Sequence, residues 1–130
     1  MRKKILIIED EGILSNALRA GLKKEGYRVT LIGDGQKGLL FIKKEKPDLI
    51  LLDILTPGMS GFEVMENMSK DAEIKDIPVI VISNSGQPVE ISRAFKLGAK
   101  DYFVKAELDP EEIVAKVIKQ VGRSEVNKII

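Results

Sequence analysis

The residues of this chain that could do chemistry are acids, a hydroxyl and an amine, each standing where a strand-like run ends. Leu49 to Leu52 run straight into Asp53, Ile5 to Ile8 into Glu9-Asp10, Val79 to Ile82 into Ser83, and Asp101 to Val104 into Lys105. An unpaired buried carboxylate is costly, so an acid closing a buried run must sit where the structure opens to water. Gathered at one edge, Glu9, Asp10 and Asp53 repel one another and invite a hard divalent cation. Magnesium takes few protein carboxylates, keeps several waters and shares phosphate oxygens. A lysine is a point-charge partner for phosphate, and a hydroxyl can donate to a phosphoryl oxygen. An Asp carboxylate beside such a cation can be the nucleophile that accepts a phosphoryl group, while cation and lysine offset charge during transfer. Each residue alone also has an ordinary reading: Asp53 a strand-ending acid, Glu9-Asp10 the cap of the next helix, Ser83 a turn residue, Lys105 a solvated side chain. Their placement at four matching strand ends favours the chemical reading.

The elements that must position them follow from apolar spacing. Leu49 to Leu52, bounded by Pro47 and by Pro57-Gly58, reads as a strand buried on both faces, as do Ile5 to Ile8 and Val79 to Ile82. Val29 to Ile32 and Asp101 to Val104 complete the set of strands. Between them lie helical patterns. Leu14, Leu18 and Leu22 recur at helical spacing with Ile13 and Ala17 beside them, in a helix that ends near Gly26. Gln36 to Lys44 follows the Gly33-Asp34-Gly35 turn, and Phe62, Met65 and Met68 share one stripe. The helix from Pro88 to Leu97 carries only Ile91, Ala94 and Phe95, a thin stripe that predicts loose packing. Asp109-Pro110-Glu111-Glu112 opens a last helix with an N-cap acceptor, proline at the first position and Glu at the third. Ile113, Val114, Val117, Ile118 and Val121 form its apolar face.

Strand-helix alternation at this spacing means a parallel sheet with helices on both faces, and right-handed crossovers favour the five-stranded order 2-1-3-4-5. In that order the path reverses between the first and third strands, and ligands bind outside the carboxyl ends at the reversal. The second strand ends in Gly33-Asp34-Gly35 at the far margin and is expected to add nothing to the site.

Composition removes other classes. The 130 residues suit one domain, with a net charge of +1 that draws the chain neither to nucleic acid nor to anionic lipid. There is no cysteine and no histidine, which excludes disulfides, thiol nucleophiles, Ser-His-Asp chemistry and His-ligated zinc. The Met-Arg-Lys-Lys start with its four following apolar residues is too short for a signal peptide or a span, so a cytoplasmic protein is expected.

Taken together, Glu9-Asp10, the stretch Asp53-Ile-Leu-Thr-Pro-Gly-Met-Ser-Gly61, Ser83, and Gly98-Ala-Lys-Asp-Tyr-Phe-Val-Lys105 resemble a stand-alone response-regulator receiver domain of two-component signal transduction, over about Lys4 to Gln120. The resemblance implies a flavodoxin-like doubly wound fold, with a receiver domain over residues 1–121 and residues 122–130 as a tail or linker stub. It implies that Asp53 is the phosphoacceptor, paired with Lys105, and that Ser83 follows the phosphoryl group. Tyr102 would turn inward after Ser83; a half-buried surface tyrosine is its ordinary reading. Mg2+ (or Mn2+) would be bound directly by Asp10 and Asp53, through water by Glu9, and by the backbone carbonyl of Leu55. The function implied is that of a switch, not an enzyme beyond its own phosphorylation and dephosphorylation. Its surface of fourth helix, fifth strand and fifth helix would change. The implied partners are a histidine kinase or phosphotransfer protein and a downstream protein, with no nucleic acid or membrane contact from this domain.

Three positions depart from the family pattern: Thr56 in place of methionine, with little effect expected, Asn84 in place of a small residue, and Ala106 in place of the proline that follows the lysine. A cis bond before alanine costs about 3 kcal/mol, so Lys105 either retains that strain or approaches by a different loop. The alternative is a receiver-like interaction module that is never phosphorylated. A haloacid-dehalogenase-type phosphohydrolase would need an Asp where Leu55 stands. A flavin-mononucleotide binder would need a hydroxyl- and glycine-rich loop where Glu9-Asp10-Glu11 would repel phosphate.

Overall fold

Strands without polar interruption bury both faces only if helices cover each side, and the chain folds that way. The computed structural model describes residues 2–123. Its strands are β1 (Lys4–Ile8), β2 (Arg28–Ile32), β3 (Leu49–Asp53), β4 (Val79–Ser83) and β5 (Asp101–Val104). The helices are α1 (Ile13–Lys24), α2 (Gly35–Glu45), α3 (Gly61–Ser69), α4 (Pro88–Lys96) and α5 (Pro110–Val121), with a short 3-10 turn at Lys105–Glu107. All strand pairs are parallel, in the order β2-β1-β3-β4-β5. The expected architecture, a flavodoxin-like doubly wound sheet, is the one observed.

Alternating side chains along each strand divide the core in two. Leu6, Ile8, Ile50, Leu52 and Val81 pack beneath α2, α3 and α4, with Phe62, Met65 and Met68 among them. Ile5, Ile7, Leu49, Leu51, Ile80 and Ile82 pack beneath α1 and α5 with Leu18, Leu22, Ile113 and Val117. Complete burial of this many aliphatic side chains is the main stabilising contribution, about 1.5–3 kcal/mol each relative to exposure.

Two expected apolar contacts are not made. Ile13 is 94% exposed and Phe95 47% exposed. Each lies about 100° round its helix from a residue that does face the sheet, Leu14 in one case and the fully buried Ala94 in the other. Ala94 is the one buried residue of α4. That helix is also tied sideways: Arg93 pairs with Glu66 at 2.8 Å and lies 4.3 Å over the Phe62 ring, both on α3.

The end of α5 is tied to the connection between α1 and β2. Tyr27, 1% exposed, donates to the Gly122 carbonyl at 2.5 Å, and Arg123 pairs with Glu25 at 2.7 Å. The rest of the expected tail, residues 124–130, lies outside the described residues.

Candidate functional site

Register brings the strand ends together. Ile8 pairs with Leu52, so Glu9 emerges beside Asp53, and Ser83 pairs with Val104 one residue before Lys105. Neither Glu9 nor Asp10 caps α1, because that helix takes Gly12 as N-cap and closes its first turn with Ser15. The acids are left for the strand-end edge, where β1 and β3 diverge in sequence order.

Asp53 is buried at that edge. Its Oδ1 accepts the Leu55 N–H at 3.0 Å and its Oδ2 accepts from Lys105 Nζ at 2.8 Å. The same ammonium pairs with Glu9 Oε1. Lys105 is thus no solvated side chain but a bridge between two carboxylates. Burial works against its ammonium, yet Asp53 and then Glu9 more than offset that and raise its pKa. Burial likewise pushes the Glu9 carboxyl above the usual carboxylate range, with Lys105 opposing. Glu9 Oε2 is buried and has no hydrogen-bond partner. Asp10 is exposed beside it.

The Lys105–Ala106 bond is trans, since no cis peptide bond occurs among the described residues. The lysine reaches the site from the first position of the 3-10 turn instead, which answers the question raised by Ala106.

Ser83 is fully buried, and its Oγ accepts the Ser85 N–H at 3.1 Å. Among the described residues no hydrogen bond joins it to Asp53 or Lys105. Tyr102 is half-buried against the core under α4, and its hydroxyl donates to the Ser85 carbonyl at 2.7 Å. Ser85, unremarked in the sequence, is the hub here. Its hydroxyl donates to Glu90 at 2.6 Å and accepts the Gln87 N–H at 3.2 Å, tying β4, β5 and the first turn of α4. The one sequence signal was the run Ser83-Asn-Ser-Gly86, which marks a turn without saying what it ties.

Gly61 was also missed as a packing residue. It opens α3 behind Ser60, which forms a capping box with Glu63. A Cβ on it would stand 2.6 Å from the Asp53 carbonyl oxygen and 2.7 Å from Ile54 Cα, so only glycine lets α3 start this close to the acceptor strand.

Among the described residues no group of three or more His, Cys, Asp or Glu is gathered to hold a metal ion, and the ammonium of Lys105 is what joins Glu9 to Asp53. The donor chemistry nevertheless suits a hard divalent cation: oxygens only, with one buried carboxylate oxygen of Glu9 left without a partner.

Known proteins similar to this chain are numerous. Residues 5–118 match the response regulator receiver domain family. The DNA-binding response regulator MtrA of Mycolicibacterium smegmatis is 33% identical over 125 residues, which cover 96% of this chain and 53% of MtrA. The chain thus spans about half the length of MtrA-type relatives. Protein PilH of Pseudomonas aeruginosa is 36% identical over 118 residues, covering 91% of this chain and 96% of PilH. Among solved structures, the Mn(2+)-bound form of response regulator Rcp1 superposes with a TM-score of 0.78 at 25% identity, covering 90% of this chain and 92% of that one. The phosphorylated cyanobacterial phytochrome response regulator RcpA superposes with a TM-score of 0.81 at 26% identity, covering 93% and 94%. No helix among the described residues is long and apolar enough to cross a membrane. With the parallel sheet, the acid pair after β1, the acid closing β3 and the lysine after β5 in family order, this chain belongs to the response regulator receiver domains of two-component systems.

Proposed function

We propose that Asp53 is the phosphoacceptor of this receiver. The observation that carries the reading is the 2.8 Å contact between Lys105 Nζ and Asp53 Oδ2, at the sheet edge where β1 and β3 part. An Asp53 oxygen forms a bond to phosphorus as the bond from phosphorus to a donor imidazole nitrogen breaks, and the freed imidazole takes a proton from water. Lys105 offsets negative charge as the phosphoryl group arrives. Asp10, Asp53 and the Leu55 carbonyl would hold Mg2+ (or Mn2+) directly, and Glu9 through water. The metal, when bound, supplies charge neutralisation for the phosphoryl oxygens.

The new group adds about −1.5 to −2 charges at Asp53. Ser83 then exchanges its bond from Ser85 N–H for one to a phosphoryl oxygen. That exchange loosens the Ser85 hub, through which Tyr102 and the weakly packed α4 are held. The readout is the surface of α4, β5 and α5, presented to a protein partner rather than to nucleic acid or membrane. The chain is a switch in the cytoplasm, served by a histidine kinase or phosphotransfer protein, with at most its own phosphorylation and dephosphorylation as catalysis. Residues 1–121 form the receiver and 122–130 a tail or linker stub.

Incubation with acetyl phosphate and Mg2+, read by intact mass, tests the acceptor. One added phosphoryl is expected in the native chain and in Asp76→Ala, and none in Asp53→Ala. A native chain that gains no mass would instead mark an interaction module that is never phosphorylated.

A further inference from the structure

The turn after β2 lies at the margin of the sheet, yet it does not stand apart from the loop after Asp53. Gly35 N–H donates to the Pro57 carbonyl at 3.0 Å. A Cβ on Gly35 would run into the Met59 carbonyl oxygen and stand 2.9 Å from Thr56 Oγ1. From the other side Gly58 takes φ +80°, and a Cβ there would stand 2.7 Å from Asp34 Oδ2. Asp34 is itself held by capping α2 through Lys37 N–H at 2.9 Å. Thr56 donates to the Met59 carbonyl at 2.6 Å, closing the same loop internally. Its two ends are tied as well, by Leu55 N–H on Asp53 Oδ1 at 3.0 Å and by Gly61 N–H on the Ile54 carbonyl at 2.7 Å. The stretch from Asp53 to Gly61 is therefore clamped at both ends and pressed in the middle against Gly35.

We propose that Gly35 and Thr56 are positioning residues for the divalent-cation site. They brace the loop after Asp53 so that the Leu55 backbone stays fixed beside Asp53. The inference rests on the metal reading given above. Its physical basis is that Mg2+ demands near-ideal geometry, whereas Ca2+ accepts many. A loop carbonyl is a good Mg2+ ligand only if the backbone that carries it does not drift. Groups that hydrogen-bond a metal ligand are worth about 10–100-fold in metal affinity when removed; Gly35 and Thr56 act one step further out, through Pro57 and Met59, so the lower end of that range is expected. The brace comes from the start of α2 because only a glycine there leaves room for Met59.

The test is calorimetric titration of the native chain, Gly35→Ala and Thr56→Val with Mg2+ and, separately, with Ca2+, alongside hydrogen exchange of the Leu55, Met59 and Gly61 amides. Gly35→Ala should bind Mg2+ on the order of tenfold more weakly, with a clearly smaller loss for Ca2+ and faster exchange at those amides. Thr56→Val should move the same way by a few fold, and decides alone if Gly35→Ala does not fold. Native-like Mg2+ binding in a folded variant overturns the proposal, and so does an equal loss for both ions. A native chain that takes up no Mg2+ overturns the metal reading itself, and the bracing role with it.

Discussion

Replacing Lys105 by methionine would remove the charge that reconciles Glu9 with Asp53. At 2.8 Å and an effective dielectric near 20, the Lys105–Asp53 attraction alone is about 6 kcal/mol before desolvation is subtracted. Removing one partner of a buried pair costs about 3–5 kcal/mol, because it leaves an uncompensated charge. The Lys105 side chain is 19% exposed, so solvent screens part of this and a loss of about 3 kcal/mol at neutral pH is expected. The pH dependence follows from Glu9. Its folded pKa already lies above the ordinary 4.5, and without the lysine it rises further. A raised carboxyl costs stability where it must be charged, so the deficit is full above the folded pKa. It shrinks as pH falls below the variant's folded pKa and is lost once pH passes below the native folded pKa, itself above 4.5, because the unfolded chains titrate alike. Mg2+ should restore more stability to Lys105→Met than it adds to the native chain, since no ammonium competes for Glu9. Urea unfolding followed by circular dichroism, at several pH values and with and without Mg2+, reads all of this. A deficit that is the same at every pH and indifferent to Mg2+ would refute the reasoning.

Two further outcomes are expected. Ser85→Ala removes the hydroxyl that joins Gln87 N–H to Glu90, so hydrogen exchange in the first turn of α4 should quicken and stability should fall by about 1 kcal/mol; unchanged exchange there would remove Ser85 as the hub. Burial holds the Tyr27 phenol above its ordinary 10.0, so the unfolded chain ionises first and stability should fall as pH rises past 10.0. Tyr27→Phe should blunt that alkaline loss while costing about 1 kcal/mol at neutral pH for the lost bond to Gly122, measured by the same urea unfolding.

The strand order and the identities of Asp53, Glu9 and Lys105 were legible in the chain itself. Apolar runs of strand length have one stable arrangement when helices alternate with them, and polar residues that close such runs have one place to go. The weakness of α4 could be read from its thin stripe, because helix burial needs apolar residues on one face. Periodicity counts residues round a helix, however, and does not say which of two adjacent apolar residues meets the sheet; Ile13 and Phe95 turned outward for that reason. Other features were decided only by tertiary contact. That Lys105 spans Glu9 and Asp53 through a trans bond depends on where the 3-10 turn sets its backbone. That Asp34 and Gly35 press on the loop after Asp53, and that Ser85 gathers Ser83, Tyr102 and Glu90, depends on backbone atoms meeting across elements distant in sequence. Side-chain type records hydrophobicity, charge and helix or strand preference locally. Backbone approach of this kind leaves in the sequence only a glycine or a serine, residues that every surface turn also uses.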